Sequence, residues 1–108
     1  MPQDQTLDFD KLVSDRIERG VANVSLCLEN KKLGDDEVIR LAEMEVLAEL
    51  TNLDLGENNI SDKGLSVLCN SPSTKNLKVL NLKSNNITEV GAQSLAQATN
   101  LSQLEQLI

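Results

Sequence analysis

An α/β array of stacked strand and helix units is the fold class predicted by the sequence, and three observations predict it. Leu50, Leu53, Leu55, Asn58 and Ile60 return 27 residues later as Leu77, Leu80, Leu82, Asn85 and Ile87, and each set is followed four residues on by a glycine, Gly64 or Gly91. The same offset runs outward in both directions: Leu26, Leu28 and Leu33 precede Leu53, Leu55 and Ile60, while Leu104 and Leu107 follow Leu77 and Leu80. Within each unit an alternating apolar stretch gives way to apolar residues three and four apart, the change of period that marks a strand followed by a helix. A fixed period in this range means units that bury their apolar sides on one another. The question is therefore what the surfaces bind.

The elements follow in order along the chain. Residues 1–20 are expected to form an N-terminal helical cap, in which Asp8 starts the helix over residues 6–20, Phe9, Leu12, Val13 and Ile17 mark one face, and Gly20 ends it. Residues 21–108 hold three units and a partial fourth. In each, a short strand carries the alternating leucines and a helix follows: one over 35–50, with Asp35, Asp36 and Glu37 at its positive dipole end, and shorter ones over 64–69 and 91–98. Asn58 and Asn85 are expected to be structural. A chain that turns sharply inside a stack leaves main-chain groups unpaired, and an amide that both donates and accepts satisfies them. Their neighbours Asn59 and Asn86 should face solvent.

The repeated leucines and asparagines, with Gly91, Ala92, Leu95, Ala96 and Ala98 in the helical part, resemble the leucine-rich repeat family and its ribonuclease-inhibitor-like class. The resemblance covers residues 21–108. It implies a short right-handed solenoid with parallel strands on the concave face, helices on the convex face, and noncatalytic protein binding as the usual role. Short proteins of this kind are similar to pieces of cytosolic innate-immune receptors and to repeat proteins that intracellular bacteria export into the host cytosol. Some regulators of small GTPases also have repeats that look like these, and Arg40 is the only arginine here within the repeats. The first unit departs from the pattern: Lys31 stands where Asn58 and Asn85 stand later, and Glu37 replaces the glycine.

On the implied concave face, Ser25, Cys27, Glu29, Asn52, Asp54, Glu57, Val79, Asn81 and Lys83 are expected to point outward, free of structural duty and available to a protein partner. Three strands ~4.8 Å apart, each ~13 Å long, project only roughly 200 Å². A standard interface takes ~800 Å² from each partner. Loops must contribute, or chains must associate. Leu101, Leu104, Leu107 and Ile108 continue the inward-facing series with no following unit to cover them, which fits a fragment of a larger repeat array, a tail folded over the last layer, or an end that docks on another copy; homodimerisation through this C-terminal end is the second expected contact.

Charge and composition exclude other roles. The 108 residues carry 10 basic and 17 acidic side chains, a net charge of −7, and nine of the acidic residues against three basic ones fall between Glu29 and Glu57. Duplex nucleic acid needs clustered lysine and arginine, so it is not an expected partner. Nor is a membrane, since residues 6–20 mix acidic with basic residues on their polar side and no apolar run is long enough to span a bilayer. The charged first twenty residues lack a secretory signal. Together with Cys27 and Cys69, 42 residues apart and expected as free thiols, this points to the cytoplasm. The cysteines have no metal-ligand spacing. With no histidine and no phosphate-binding glycine loop, neither a catalytic residue, nor a cofactor, nor a metal site is expected.

Overall fold

Leucines 27 residues apart stack because each strand of the repeat pairs with the next at that offset. The computed structural model describes residues 8–108, so the expected start of the cap over residues 1–7 lies outside the described residues. Five strands form one sheet in chain order: β1 (Ile17–Arg19), β2 (Val24–Cys27), β3 (Asn52–Asp54), β4 (Val79–Asn81) and β5 (Gln106–Leu107). From β2 onward the sheet is parallel, with Leu26 opposite Leu53, Leu53 opposite Leu80, and Leu80 opposite Leu107. The expected register holds throughout.

Four helices, α1 (Phe9–Arg16), α2 (Asp35–Ala42), α3 (Asp62–Asn70) and α4 (Glu89–Gln97), complete the units. α2 packs on α3 and α3 on α4. Between the sheet and this helical layer lies an almost wholly aliphatic core, in which Leu26, Leu28, Leu33, Leu53, Leu55, Ile60, Leu77 and Leu80 are buried. The molecule is the short α/β solenoid that the repeat implies.

Each of the four helices differs from expectation. The first helix ends at Arg16, and Ile17 leaves it in an extended conformation. Residues Ile17–Arg19 then pair antiparallel with β2, Ile17 opposite Leu26. The first parallel strand would otherwise expose an edge, and β1 covers it, so hydrogen bonding of that edge wins over helical periodicity. At its start the helix behaves as expected, with the Asp8 carboxylate accepting the Lys11 N–H at 3.1 Å.

The single helix expected over 35–50 is two pieces. α2 stops at Ala42, Met44 is extended, and Glu45–Glu49 forms a 3-10 turn that places Leu47 and Leu50 in the core. A straight helix would carry Leu50 away from β3. The later helices begin earlier than expected, at Asp62 and Glu89, so Gly64 and Gly91 lie in their first turns.

Candidate functional site

The outer surface of the sheet is built by strand alternation. With Leu26, Leu53 and Leu80 turned inward, the register sets Ser25, Asn52, Val79 and Gln106 in one outward row and Cys27, Asp54 and Asn81 in the next. Ile108 continues the second row: its N–H donates to Leu80 O at 2.9 Å and its carbonyl accepts from Leu82 N at 2.7 Å, one step beyond the Leu80–Leu107 pair. Ser25, Cys27, Asn52, Asp54, Val79, Asn81 and Ile108 line one hollow of about 210 Å³. Ile108 was expected to face inward with Leu107. It lines the hollow instead, because adjacent strand residues point to opposite sides.

Beyond the hollow, towards the strand-to-helix loops, Glu29 and Lys83 flank Gly56 at equivalent positions of three units, and Glu57 follows. All three charged residues are exposed. A side-chain hydrogen bond with Glu57, then the charges of Asp54 and Glu57, push the Glu29 carboxyl above its ordinary value, against a smaller opposing effect of Lys83. The Cys27 thiol lies 3.9 Å from an Asp54 carboxylate oxygen. Its sulfur and the carboxylate oxygens of Glu29 and Asp54 lie within 4.8 Å of one another. Spacing along the chain shows no such donor group, because the 27-residue register alone brings Cys27 to Asp54.

All of these residues were expected to be free of structural duty, and three of them are not. Asp54 Oδ1 accepts the Gly56 N–H at 2.9 Å and Asn81 Oδ1 accepts the Lys83 N–H at 2.9 Å, so both close the turn after their strands. Asn52 Oδ1 accepts the Thr51 hydroxyl at 2.8 Å. Glu57 holds φ at +55°, equivalent to Asn30 at +55° and Ser84 at +59°. This is the left-handed region that favours glycine and asparagine.

Behind the sheet face, two ladders join the layers. Asn58 Oδ1 accepts the N–H groups of Lys31 and Leu33, each at 3.0 Å, and its amide donates to Leu28 O, Leu55 O and Gly56 O at 2.9, 3.0 and 3.1 Å. Asn85 repeats this one layer on, accepting from Ile60 N at 2.9 Å and donating to Leu55 O at 2.8 Å and Leu82 O at 3.1 Å. Each amide reaches back to the preceding unit. That direction explains Lys31: the first unit has no preceding repeat loop to hold, so its turn forms without the asparagine. Asn59 and Asn86 are exposed, as expected, and bond to each other.

The second ladder is carboxylate. Asp35 accepts the Ser61 N–H at 2.8 Å, the Ser61 hydroxyl at 2.5 Å and the Gly64 N–H at 3.1 Å, so a residue at the start of α2 caps the start of α3. Asp62 does the same for α4 through the Thr88 N–H at 2.8 Å and the Thr88 hydroxyl. Burial pushes the Asp35 carboxyl up, but the Ser61 and Gly64 hydrogen bonds together with Lys63 outweigh it and hold the group below its ordinary value. Asp62 is lowered chiefly by its Thr88 hydrogen bonds. The first helix of the array has no such acceptor behind it among the described residues, and Glu37 accepts the Gly34 N–H at 2.7 Å instead. Glu37 thus stands where later units need glycine.

With this geometry in place, residues 49–69 and 75–96 match the family described as Leucine Rich repeat. Those two units are leucine-rich repeats of the ribonuclease-inhibitor-like class. No curated protein matches it. Leucine-rich repeats are generally noncatalytic protein-interaction modules. Arg40 pairs with Asp10 of α1 through two hydrogen bonds, at 3.0 and 2.6 Å, and so ties α1 to the first leucine-rich repeat.

At the far end of the repeats Leu101 is buried and Leu104 packs against the core, whereas Leu107 and Ile108 are each 48% exposed. Cys69 is buried in α3, where desolvation raises its thiol, and Cys27 is the exposed thiol; both are free. No helix among the described residues is long and apolar enough to cross a membrane.

Proposed function

We propose that this leucine-rich repeat chain is a noncatalytic protein-protein interaction module that holds its partner on the concave sheet face. Ser25, Cys27, Glu29, Asn52, Asp54, Glu57, Val79, Asn81 and Lys83 form the contact surface, and Ile108 joins them. One observation carries the reading: six of those nine side chains converge on a single hollow while the leucines between them are sealed in the core. A surface with that much outward variety across one rigid register is suited to reading another protein's side chains. In this reading residues 1–20 cap the array, residues 21–108 are its repeats, and the two free thiols suit the cytoplasm.

The test is capture of partners from cytosol by the tagged chain. Val79→Arg together with Asn52→Arg should abolish specific capture with little change in thermal midpoint, because neither side chain is in the core. Lys63→Glu, on the convex α3, should leave capture intact. Equal loss with Lys63→Glu would move the site to the helices.

A second contact is favoured by the exposed Leu107 beside the outer edge of β5. In this reading Leu107, with the half-buried Leu104 beside it, forms a twofold contact between two copies, which also widens a narrow sheet face; Leu101 is buried within its own chain and Ile108 faces the hollow, so these two do not take part, contrary to the expectation from the sequence. Light scattering across a concentration series decides it. A dimer that Leu107→Glu dissolves supports the contact, and a monomeric mass at high micromolar concentration refutes it.

A further inference from the structure

The hollow on the sheet face has two chemically different ends. One is apolar: Val79 and Ile108 lie over the outer parts of β4 and β5. At the other end Asp54 lines the wall, with Glu29 and Glu57 beside it, and Lys83 is the one cation among these four charged groups. None of the three carboxylates belongs to a salt bridge among the described residues, whereas Asp10, Asp15 and Glu49 elsewhere do. Like charges held this close raise the free energy of the face, and a cation placed among them lowers it. The volume of about 210 Å³ falls below the ~300 to 1,000 Å³ of small-molecule pockets, so its occupant is a side chain.

We infer that the concave face takes an extended segment of the partner protein carrying an aliphatic side chain and, four residues away on the same side, a lysine or arginine. The aliphatic group covers Val79 and Ile108. The cation sits between Glu29, Asp54 and Glu57. Val79 and Ile108 lie on β4 and just after β5, whereas Asp54 and Glu29 lie on β3 and just after β2, so the two ends are separated by two strand spacings, ~9.6 Å, as well as by one row, ~6.8 Å; four residues of extended chain, ~13.6 Å, cover that diagonal. This deepens the interaction reading above and rests on it. The Glu29 carboxyl is raised first by its side-chain hydrogen bond with Glu57 and then by the charges of Asp54 and Glu57, so the three acids sit close enough to act on one cation. Asp54 contributes its charge while its Oδ1 stays committed to the Gly56 N–H, so the carboxylate is already oriented before a ligand arrives.

The experiment displays random heptapeptides to the immobilised chain, then synthesises the enriched consensus and titrates it against variants. The expected consensus is an aliphatic residue and a Lys or Arg at i and i+4. Its affinity should fall about tenfold or more with Glu29→Gln plus Glu57→Gln, and should weaken with salt. Asp54→Asn keeps an acceptor for the Gly56 N–H and removes only charge, so it should act in the same direction. Thermal midpoints measured alongside show that each variant is folded. A consensus without basic residues, bound equally by the Gln variants but lost with Val79→Arg, overturns the inference and leaves the concave-face reading standing. No enrichment, or binding insensitive to both sets of variants, overturns both.

Discussion

The Asp35 carboxylate rests against the backbone of Gly64 in the next repeat, accepting its N–H at 3.1 Å. A Cβ at position 64 would come within 2.5 Å of that oxygen and 3.1 Å of the Ile60 methyl. Glycine is there for approach, not for an unusual dihedral, since no glycine among the described residues has positive φ. Gly91 stands in the same relation to Asp62. α3 and α4 are thus each capped from the unit before them, which couples neighbouring repeats through a charge-assisted hydrogen bond as well as through the core.

Gly64→Ala should therefore destabilise the protein although alanine is the better helix former. Overpacking of this kind costs ~1 to 3 kcal/mol, against less than ~1 kcal/mol of helix propensity gained. In an Asp35→Ala background the same substitution should cost clearly less, the Ile60 contact alone remaining. Thermal unfolding of the four-membered cycle checks this, and strict additivity would contradict it.

Asn58→Ala and Asn85→Ala should each lower the thermal midpoint by several degrees, since ~1 to 3 kcal/mol attaches to stranding buried main-chain groups. Asn58 serves two N–H groups and three carbonyls, and its loss should be the larger. Midpoints unchanged in both variants would remove the amide ladder from the account.

Glu57→Asn should raise the midpoint. A side chain with φ at +55° costs roughly 1 kcal/mol that asparagine or glycine largely avoids. If peptide binding falls while stability rises, the strained glutamate is retained for its charge.

Acid should weaken the carboxylate ladder. Asp35 and Asp62 have folded-state values below the ordinary 3.8, so the folded state binds fewer protons than the unfolded chain. Their contribution is fully present above about pH 4 and is lost as pH falls through the depressed values. Asp35→Asn plus Asp62→Asn should give a protein less stable at neutral pH with a shallower loss between pH 4 and 2. Glu29 has the opposite sign: its raised carboxyl contributes stability below 4.5 that disappears as pH rises, so Glu29→Gln should be neutral or stabilising at pH 7.

The strands and core were legible because leucines at one offset fix both the pairing partner and the buried face; Leu26, Leu53, Leu80 and Leu107 needed nothing else. Asn58 and Asn85 were legible for the same reason, a polar residue recurring in phase with buried ones. Asp35 was read only as a favourable charge on its own helix, since nothing along the chain shows that it caps the next helix. Ile17 fits a helical face equally well, and only the exposed edge of β2 pulls it into β1. The break at Met44 answers the need to return Leu50 to the sheet, a requirement of closure and not of local pattern. Around the hollow, alternation found Cys27, Asp54 and Asn81. It could not show the turn bonds of Asp54 and Asn81, whereas the outward Ile108 follows from alternation once Leu107 is in register with Leu80.

The most direct test of the concave-face account uses Cys27, the exposed thiol in the hollow, while Cys69 is buried with a raised thiol value and stays unreactive. A thiol-reactive photo-crosslinker on Cys27 should yield discrete adducts with partner protein on irradiation in cytosol, and Val79→Arg should suppress them. The same probe on Lys63→Cys in a Cys27→Ser background reports the convex side. Adducts from Cys27 and not from position 63 are the predicted result; adducts from position 63 with none from Cys27 would contradict the account.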